Sequence, residues 1–278
     1  MAKQKKVGLA LGGGAARGMA HIGVLEVLEK EGIPVDMIAG TSAGALVGAP
    51  ALSGRSALEL KQFVLGFDWA RRANLLDISL PRTGLLAGRK ITAELERFMG
   101  GDLKFSQLTR PFACVACDVN TGEEIVMTKG SVLEAVRASI SIPVVFTAVK
   151  REGRYLVDGG LVNHVPVNVA RALGADVVIA VNVVPRRFHK IKHKLLEMET
   201  NPAVQDLPRP SMLGVMLNTL DIVSSCHVEA SLLGADYVIE PDTLAIGPAD
   251  FHDAAKCILC GELAAADAVP GIRRLLAE

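Results

Sequence analysis

One serine lies between two glycines at a predicted strand-to-helix junction. The segment Gly40-Thr41-Ser42-Ala43-Gly44 follows an apolar run and precedes a helical one. A serine on so sharp a turn sits on strained backbone, and the glycines two residues away on either side remove side chains that would clash. The helix that follows offers free N–H groups and a positive dipole end to a developing negative charge. The pattern favours Ser42 as a nucleophile; the alternative is an ordinary glycine-rich turn.

A second loop of small residues stands between the first predicted strand and helix. It reads Gly12-Gly13-Gly14-Ala15-Ala16-Arg17-Gly18. It matches neither the Gly-x-Gly-x-x-Gly pattern of dinucleotide sites nor the Lys-Ser/Thr ending of a P-loop. Consecutive backbone N–H groups in such a loop can instead stabilise an oxyanion. Arg17 would add positive charge or brace the loop. The alternative is a tight turn without a ligand.

A nucleophilic serine needs a base. Asp158-Gly159-Gly160 follows a short β-like run, and the two glycines would let the aspartate approach another backbone closely. In a partly dry pocket an aspartate can act directly as the base. Only His164 among the histidines lies in a comparable turn, and a histidine so close in sequence to Asp158 is not expected to lie between it and Ser42. An ordinary Asp-Gly turn remains the alternative. The six histidines are His21, His164, His189, His193, His227 and His252.

These three motifs, in this order, resemble the patatin-like phospholipase family. The resemblance covers nearly the whole chain and is nearest to the small bacterial, RssA-type members. Further stretches match the same family pattern: Gly84-Leu85-Leu86 through Gly88, Ala116-Cys117-Asp118 through Thr121-Gly122, Ala138-Ser139 through Pro143 with Phe146, Asn163 through Pro166, and Pro241-Asp242 with Asp250-Phe251.

The resemblance implies a Ser–Asp dyad without a catalytic histidine, in which Ser42 attacks an ester and Asp158 is the base. It also implies an oxyanion hole formed by the N–H groups of Gly13, Gly14 and Ala15, with Arg17 beside it. The expected substrate is a phospholipid, lysophospholipid or simpler acyl ester, hydrolysed through an acyl-enzyme without a cofactor or metal.

Two positions depart from the family pattern. Ala15 stands where a third glycine is common, and its side chain leaves less room for the backbone, which puts the contribution of this N–H group in question. Cys117 stands where a threonine is usual, a change that packing can accommodate.

The order of predicted elements favours an α/β fold, a three-layer sandwich with a mainly parallel sheet covered on both faces. Without a repeat or clear linker, residues 1–278 are expected to form one domain, with a mobile loop or cap at 185–230. Strands are predicted at 7–11, 35–39, 111–118, 124–128, 154–157, 177–184 and 237–240. Helices are predicted at 18–30, 43–52, 91–99, 131–139, 165–173, 211–230 and 251–278.

Charge and cysteine content narrow the class of protein. The net charge is zero, which argues against a nucleic-acid partner. Five cysteines, an odd number, fit reduced thiols in a cytoplasm. The pairs Cys114/Cys117 and Cys257/Cys260 have the spacing of zinc ligands, but buried thiols are favoured because the pairs lie far apart on a predicted strand and helix. A targeting segment at the N-terminus is the less favoured explanation of its basic residues.

Membrane contact and the type of activity stay open in the sequence. Basic residues at 3–6 and 186–194 are either solvated surfaces or weak attractors of anionic lipid, and no apolar stretch is long enough to span a bilayer. The aliphatic residues of 212–220 either pack in the core or line an acyl-chain groove or membrane-facing cap. Peripheral contact with the inner membrane is therefore an expectation.

A catalytically quiet lipid-binding regulator and an acyltransferase remain alternatives to a hydrolase.

Overall fold

The computed structural model describes residues 5–67, 84–186 and 212–278. Its strands form an eight-stranded sheet and a separate two-stranded one. In chain order the strands are β1 Val7–Leu11, β2 Met37–Thr41, β3 Gly84–Leu86, β4 Phe112–Asp118, β5 Glu124–Met127, β6 Val144–Phe146, β7 Val149–Arg151, β8 Arg154–Asp158, β9 Val177–Val181 and β10 Tyr237–Ile239.

The described helices cover both faces of the large sheet. They are α1 Ala20–Lys30, α2 Ala43–Leu52, α3 Ala57–Leu65, α4 Arg89–Met99, α5 Val132–Ser139, α6 Val167–Ala172, α7 Met212–Ser231 and α8 Ala254–Ala277. Short 3-10 turns at Ala15–Met19 and Gly159–Leu161 follow the first and eighth strands.

The large sheet is mixed, with a parallel half and an antiparallel half. Its hydrogen-bonded order is β10-β9-β1-β2-β4-β8-β7, and β5 also pairs with β4. The neighbours from β10 to β4 run parallel, whereas β5 and β8 run antiparallel to β4 and β7 antiparallel to β8. The predicted α/β fold with a mainly parallel sheet is therefore confirmed.

Strands β2 and β8 meet end to end along one edge of β4. Val115 pairs with Thr41 on one side and Val126 on the other, while Ala116 pairs with Asp158 and Ile125. Because β5 occupies the opposite edge at both positions, β2 and β8 must share an edge. One strand runs parallel to β4 and the other antiparallel, so their C-terminal ends face each other.

Two apolar layers hold the sheet between the helices. Every residue of β1, β2, β4 and β9 is buried, as expected for strands covered on both faces. One core cluster packs alternate strand residues such as Leu9, Leu11 and Ile38 with apolar residues of α1, α2, α5 and α8. The other packs the intervening residues, Ala10 and Ala39 among them, against α6. The sheet therefore fixes the strand ends that carry the site.

Local patterns predicted some elements better than others. The bounds of β1 and α2 are confirmed as predicted, whereas β2 runs to Thr41, two residues beyond the predicted end, because Gly40 and Thr41 pair with β4. Helix α3 and strands β3, β6 and β7 were not predicted. The first of these had a usable signal, since Ser56 and Glu59 form a capping box at its start. The predicted loop or cap at 185–230 lies outside the described residues over 187–211, and α7 occupies most of the remainder.

Helices α1 and α8 pack with their backbones in direct contact at two glycines. A Cβ atom at Gly261 would collide with the carbonyl oxygen of Ala20, and one at Gly23 would collide with that of Ile258. The α1 backbone begins next to the loop Gly12–Gly18, called the glycine-rich loop below. It is therefore held at a fixed distance from α8.

We predict that Gly261→Ala destabilises the protein, because the added methyl group must push the two helix backbones apart. Overpacking of this kind costs about 1–3 kcal/mol of unfolding free energy, measurable by urea denaturation. Ala266→Leu, which enlarges an exposed side chain on the same helix, is the control and should change the unfolding free energy by less than about 0.5 kcal/mol. Equal stability of Gly261→Ala and wild type would contradict the close packing.

Candidate active site

Ser42 occupies a strained turn between β2 and α2. Its φ is 52° and its ψ is −117°, a backbone conformation that residues other than glycine rarely adopt. Its N–H donates to the hydroxyl of Ser139 at 2.8 Å, and that hydroxyl donates to the carbonyl oxygen of Val115 at 2.6 Å. Ser139 is fully buried, so the turn is held from inside the protein.

The glycines around Ser42 lie where side chains would not fit. A Cβ atom at Gly40 would lie 2.6 Å from the backbone nitrogen of Ala45, and one at Gly44 would collide with the carbonyl oxygen of Leu11. The first turn of α2 can therefore pack directly against the ends of β1 and β2. The hydroxyl of Thr41 donates to the carbonyl oxygen of Asn163 at 2.9 Å and joins this turn to the loop after β8.

Asp158 is the last residue of β8 and contacts Ser42 directly. Its Oδ2 accepts a hydrogen bond from the Ser42 hydroxyl at 2.6 Å, and its Oδ1 accepts one from the N–H of Gly160 at 2.8 Å. The following Gly159 lies so close to the Val115 carbonyl oxygen that a side chain would collide with it. This contact and the meeting of β2 with β8 set the position of the carboxylate.

Burial raises the pKa of the Asp158 carboxyl group from 3.8 to about 6, because the charged form is desolvated. The hydrogen bonds from Ser42 and Gly160 act in the opposite direction and favour the carboxylate. A carboxylate with a pKa near 6 is mostly ionised at neutral pH and is a stronger base than an exposed aspartate.

The glycine-rich loop lines the same cleft as Ser42, but the N–H groups of its residues are not equivalent. Gly13 donates its N–H to the carbonyl oxygen of His164 at 3.0 Å, which leaves it unavailable to an oxyanion in this conformation. Within the described ranges, the N–H groups of Gly14 and Ala15 form no backbone hydrogen bond. Ala15 has a φ of 50°, so alanine occupies a left-handed conformation that glycine adopts more readily.

Arg17 braces the loop from below. Its side chain is buried, and its Nε donates to the carbonyl oxygen of Ile246 at 2.6 Å. The neighbouring Ala16 donates its N–H to the carbonyl oxygen of Pro248. Of the two roles considered for Arg17 in the sequence, this geometry favours the brace.

His164 lines the same cleft but does not separate Ser42 from Asp158. Its ring packs beside the glycine-rich loop, with Cε1 only 3.1 Å from the position that a Cβ atom at Gly13 would take. The direct bond between Ser42 and Asp158 leaves no histidine between them. Its main-chain contact with Gly13 was not foreseen.

Sequence reasoning missed two buried residues next to the motifs. Ser139 belongs to a stretch that matched the family pattern without an assigned role, and His21 was passed over as part of a helix. A signal existed for His21, because it is a polar residue inside an otherwise apolar helix start. It is fully buried, and its Nε2 lies 2.8 Å from the carbonyl oxygen of Gly12.

A cleft of about 70 Å³ opens beside Ser42 and Asp158. Helix α7 contributes Leu220 and Ser224 to it. Among the predicted groove residues of 212–220, the side chains of Met212, Leu213, Met216 and Leu217 lie outside the description. Apolar residues from separate parts of the chain line the cleft, among them Ile142, Pro143, Leu161, Val184 and Leu220.

The cysteines stand apart from this cleft. Cys114, Cys117 and Cys257 are buried, and all five thiols are free. The part of the chain that the structure describes holds no group of three or more His, Cys, Asp or Glu side chains suited to a metal ion. None of its helices is both long and apolar enough to cross a membrane.

Known proteins resemble this chain in sequence and in fold. An uncharacterized NTE family protein of Mycobacterium tuberculosis is 32% identical over 276 residues, which cover 94% of this chain and 46% of that protein. The neuropathy target esterase sws of Drosophila melanogaster is 35% identical over 184 residues, or 64% of this chain and 13% of that protein. The chain thus spans about half the length of the mycobacterial relative.

A solved structure supports the fold independently. VipD from Legionella pneumophila superposes with a TM-score of 0.60 at 14% identity, covering 97% of this chain and 67% of VipD. Residues 9–171, which contain all three motifs, match the model of the patatin-like phospholipase family. The RssA-type subgroup stays a prediction. The match to the family model, which spans more than half of the chain, places the chain in the patatin-like phospholipase family.

Proposed function

We propose that this chain is a serine-dependent lipid acyl hydrolase with Ser42 as nucleophile and Asp158 as base. The observation that carries the proposal is the 2.6 Å hydrogen bond from the Ser42 hydroxyl to the buried Asp158 carboxylate. Ser42 makes this bond from a strained backbone conformation. Family membership supports a lipid ester as the substrate, and the word esterase in the name of the Drosophila relative agrees with it.

In the first step the Ser42 oxygen attacks the ester carbonyl carbon and its proton passes to the Asp158 carboxylate. The carbonyl oxygen becomes an oxyanion, which the N–H groups of Gly14 and Ala15 are free to bind. When the tetrahedral intermediate collapses, the bond to the leaving alcohol breaks. Protonated Asp158 returns the proton to that alcohol, and the acyl group stays on Ser42.

In the second step water replaces the alcohol. Asp158 takes a proton from the water as it attacks the acyl-enzyme, and the proton then returns to the Ser42 oxygen when the fatty acid leaves. The Gly160 N–H, which donates to the other carboxylate oxygen, keeps Asp158 oriented through both steps.

The apolar residues of the cleft suit the acyl chain of the substrate. Val215 and Ile222 are exposed on α7, on the face of the helix opposite the one that contributes Leu220 to the cleft. They would let the outer face of this helix touch a lipid surface. Phospholipids, lysophospholipids and simpler acyl esters are therefore the substrates to test first.

Ser42→Ala and Asp158→Asn should each abolish hydrolysis of a short-chain p-nitrophenyl ester and a lysophospholipid. Loss of a nucleophile or its base lowers kcat by at least about 10³-fold, whereas Ser106→Ala and Asp267→Asn, at exposed positions, should keep wild-type rates. Circular dichroism checks the fold of each variant. Activity that survives Ser42→Ala would mean that the nucleophile is another residue.

Two further outcomes separate the alternative functions. A wild type that hydrolyses neither substrate and leaves Ser42 unlabelled by a fluorophosphonate would favour a lipid-binding regulator. Transfer of the acyl group to an added alcohol in preference to water would identify an acyltransferase.

The rate should depend on pH through Asp158. Only the carboxylate can accept the Ser42 proton, so we expect log(kcat/KM) to rise with a slope of one up to about pH 6 and then level off, following the raised pKa of Asp158. His164→Gln should leave the midpoint unchanged. A midpoint that disappears in this variant would assign the titration to the histidine instead.

The same carboxylate should make stability depend on pH. Asp158 has a pKa of about 6 when folded and about 3.8 when unfolded, so the folded state binds its proton more tightly and stability falls as pH rises from about 4 to 6. Asp158→Asn removes this loss. The unfolding free energy of Asp158→Asn minus that of the wild type should therefore be about 2 kcal/mol larger at pH 8 than at pH 4.5.

Urea denaturation at the two pH values measures this difference, with Asp267→Asn as the exposed control. An equal effect of Asp158→Asn at pH 4.5 and pH 8 would show that the carboxyl group titrates alike in the folded and unfolded protein.

A further inference from the structure

His21, the second residue of α1, holds the backbone of the glycine-rich loop. The ring is fully buried, and its Nε2 lies 2.8 Å from the carbonyl oxygen of Gly12. A carbonyl oxygen can only accept, so Nε2 carries the proton and donates. Burial lowers the pKa of His21 to about 4, so the ring is neutral and its Nδ1 carries no proton. That nitrogen has no hydrogen-bond partner among the described residues.

The peptide group between Gly12 and Gly13 is held at both of its polar ends. His21 donates to its carbonyl oxygen, and its N–H donates to the carbonyl oxygen of His164 at 3.0 Å. The N–H of Gly12 donates to Val181, which ties the loop to β9. The next peptide groups, which carry the N–H groups of Gly14 and Ala15, continue directly from this one, so its orientation contributes to the direction of those N–H groups.

We propose that His21 is a positioning residue for the oxyanion hole: its hydrogen bond to Gly12 aims the N–H groups of Gly14 and Ala15 at the oxygen of the bound ester. The assignment rests on the proposed hydrolase function and adds to it a residue that touches neither substrate nor nucleophile.

The anchor of His21 is rigid. The α1 backbone packs against α8 through Gly23 and Gly261, where no side chain fits. At the same contact, the Cys257 thiol of α8 donates to the carbonyl oxygen of Arg17 at 3.0 Å. The ring therefore projects from a fixed helix to a loop that α8 also holds, and the peptide cannot turn without losing a buried hydrogen bond.

An apolar side chain of similar size would fill the space of the ring but would leave the Gly12 carbonyl oxygen without its donor. A buried carbonyl group without a partner is unfavourable, so the peptide would rotate toward another donor. The N–H groups that follow would rotate with it. Misplacement of such groups by about 1 Å lowers a rate on the order of 10²-fold.

The test compares His21→Leu, which removes the donor, with His21→Gln, whose amide nitrogen can replace it. Esterase rates are expressed per active site, counted by the end point of Ser42 labelling with a fluorophosphonate. We expect His21→Leu to lower kcat by about 30- to 100-fold with KM changed less than about threefold. The affinity for a trifluoromethyl ketone, which forms a tetrahedral adduct with serine, should fall in parallel. His21→Gln should recover most of kcat.

Ile22→Ala is the matched control, because Ile22 is a fully buried neighbour on the same helix with no polar group. It should lower the melting temperature while leaving kcat per active site within about twofold, since cavity formation lowers stability without moving the loop. His21→Leu with wild-type kcat and inhibitor affinity per active site would overturn the assignment and reduce His21 to a packing residue. A wild type that reacts with neither ester nor fluorophosphonate would overturn the proposed function, and the assignment with it.

Discussion

The candidate site depends on one constraint, the end-to-end meeting of β2 and β8 along a single edge of β4. Thr41 pairs with Val115 and Asp158 pairs with Ala116. Ser42, the residue after β2, therefore lies next to Asp158, the last residue of β8, and its hydroxyl oxygen is 2.6 Å from the Asp158 Oδ2 atom. Two strands can meet by their C-terminal ends on one edge only if they run in opposite directions. The antiparallel half of the sheet is therefore what brings a carboxylate to the serine.

Both residues that meet there are held in unfavourable states. Ser42 has a φ of 52°, and Asp158 is buried enough to raise its pKa to about 6. Such states persist only where the surroundings determine them strongly. The hydroxyl of Ser139 joins the Ser42 N–H to the Val115 carbonyl oxygen, so the strained turn is bonded to the same residue of β4 at which β2 ends. The proposed nucleophile, the proposed base and the serine that supports them thus share one short piece of the central strand.

The sequence predicted what depends on local pattern and missed what depends on pairing. β1 and α2 were predicted with their observed bounds, because a buried apolar run and a helical spacing are visible within a few residues. The end of β2 was placed two residues early, because its last pairs are with β4, about 70 residues away. The antiparallel alignment of β8 with β4 has no local signal at all, since an apolar strand specifies neither its partner nor its direction. The closeness of Ser42 and Asp158 was accordingly available only through resemblance to a family.

The glycine-rich loop shows the same limit at the level of single N–H groups. Its motif contains several consecutive donors, but which of them remain free depends on residues far away in the sequence. Gly12 and Gly13 donate to Val181 and His164, and among the described residues the N–H groups of Gly14 and Ala15 have no backbone acceptor, so these two are the donors proposed for an oxyanion. The alanine keeps this place at a φ of 50°, a conformation that disfavours it by about 1–2 kcal/mol. A loop braced by Arg17 and His21 can hold a residue in such a conformation, whereas a free turn would relax and redirect its N–H group.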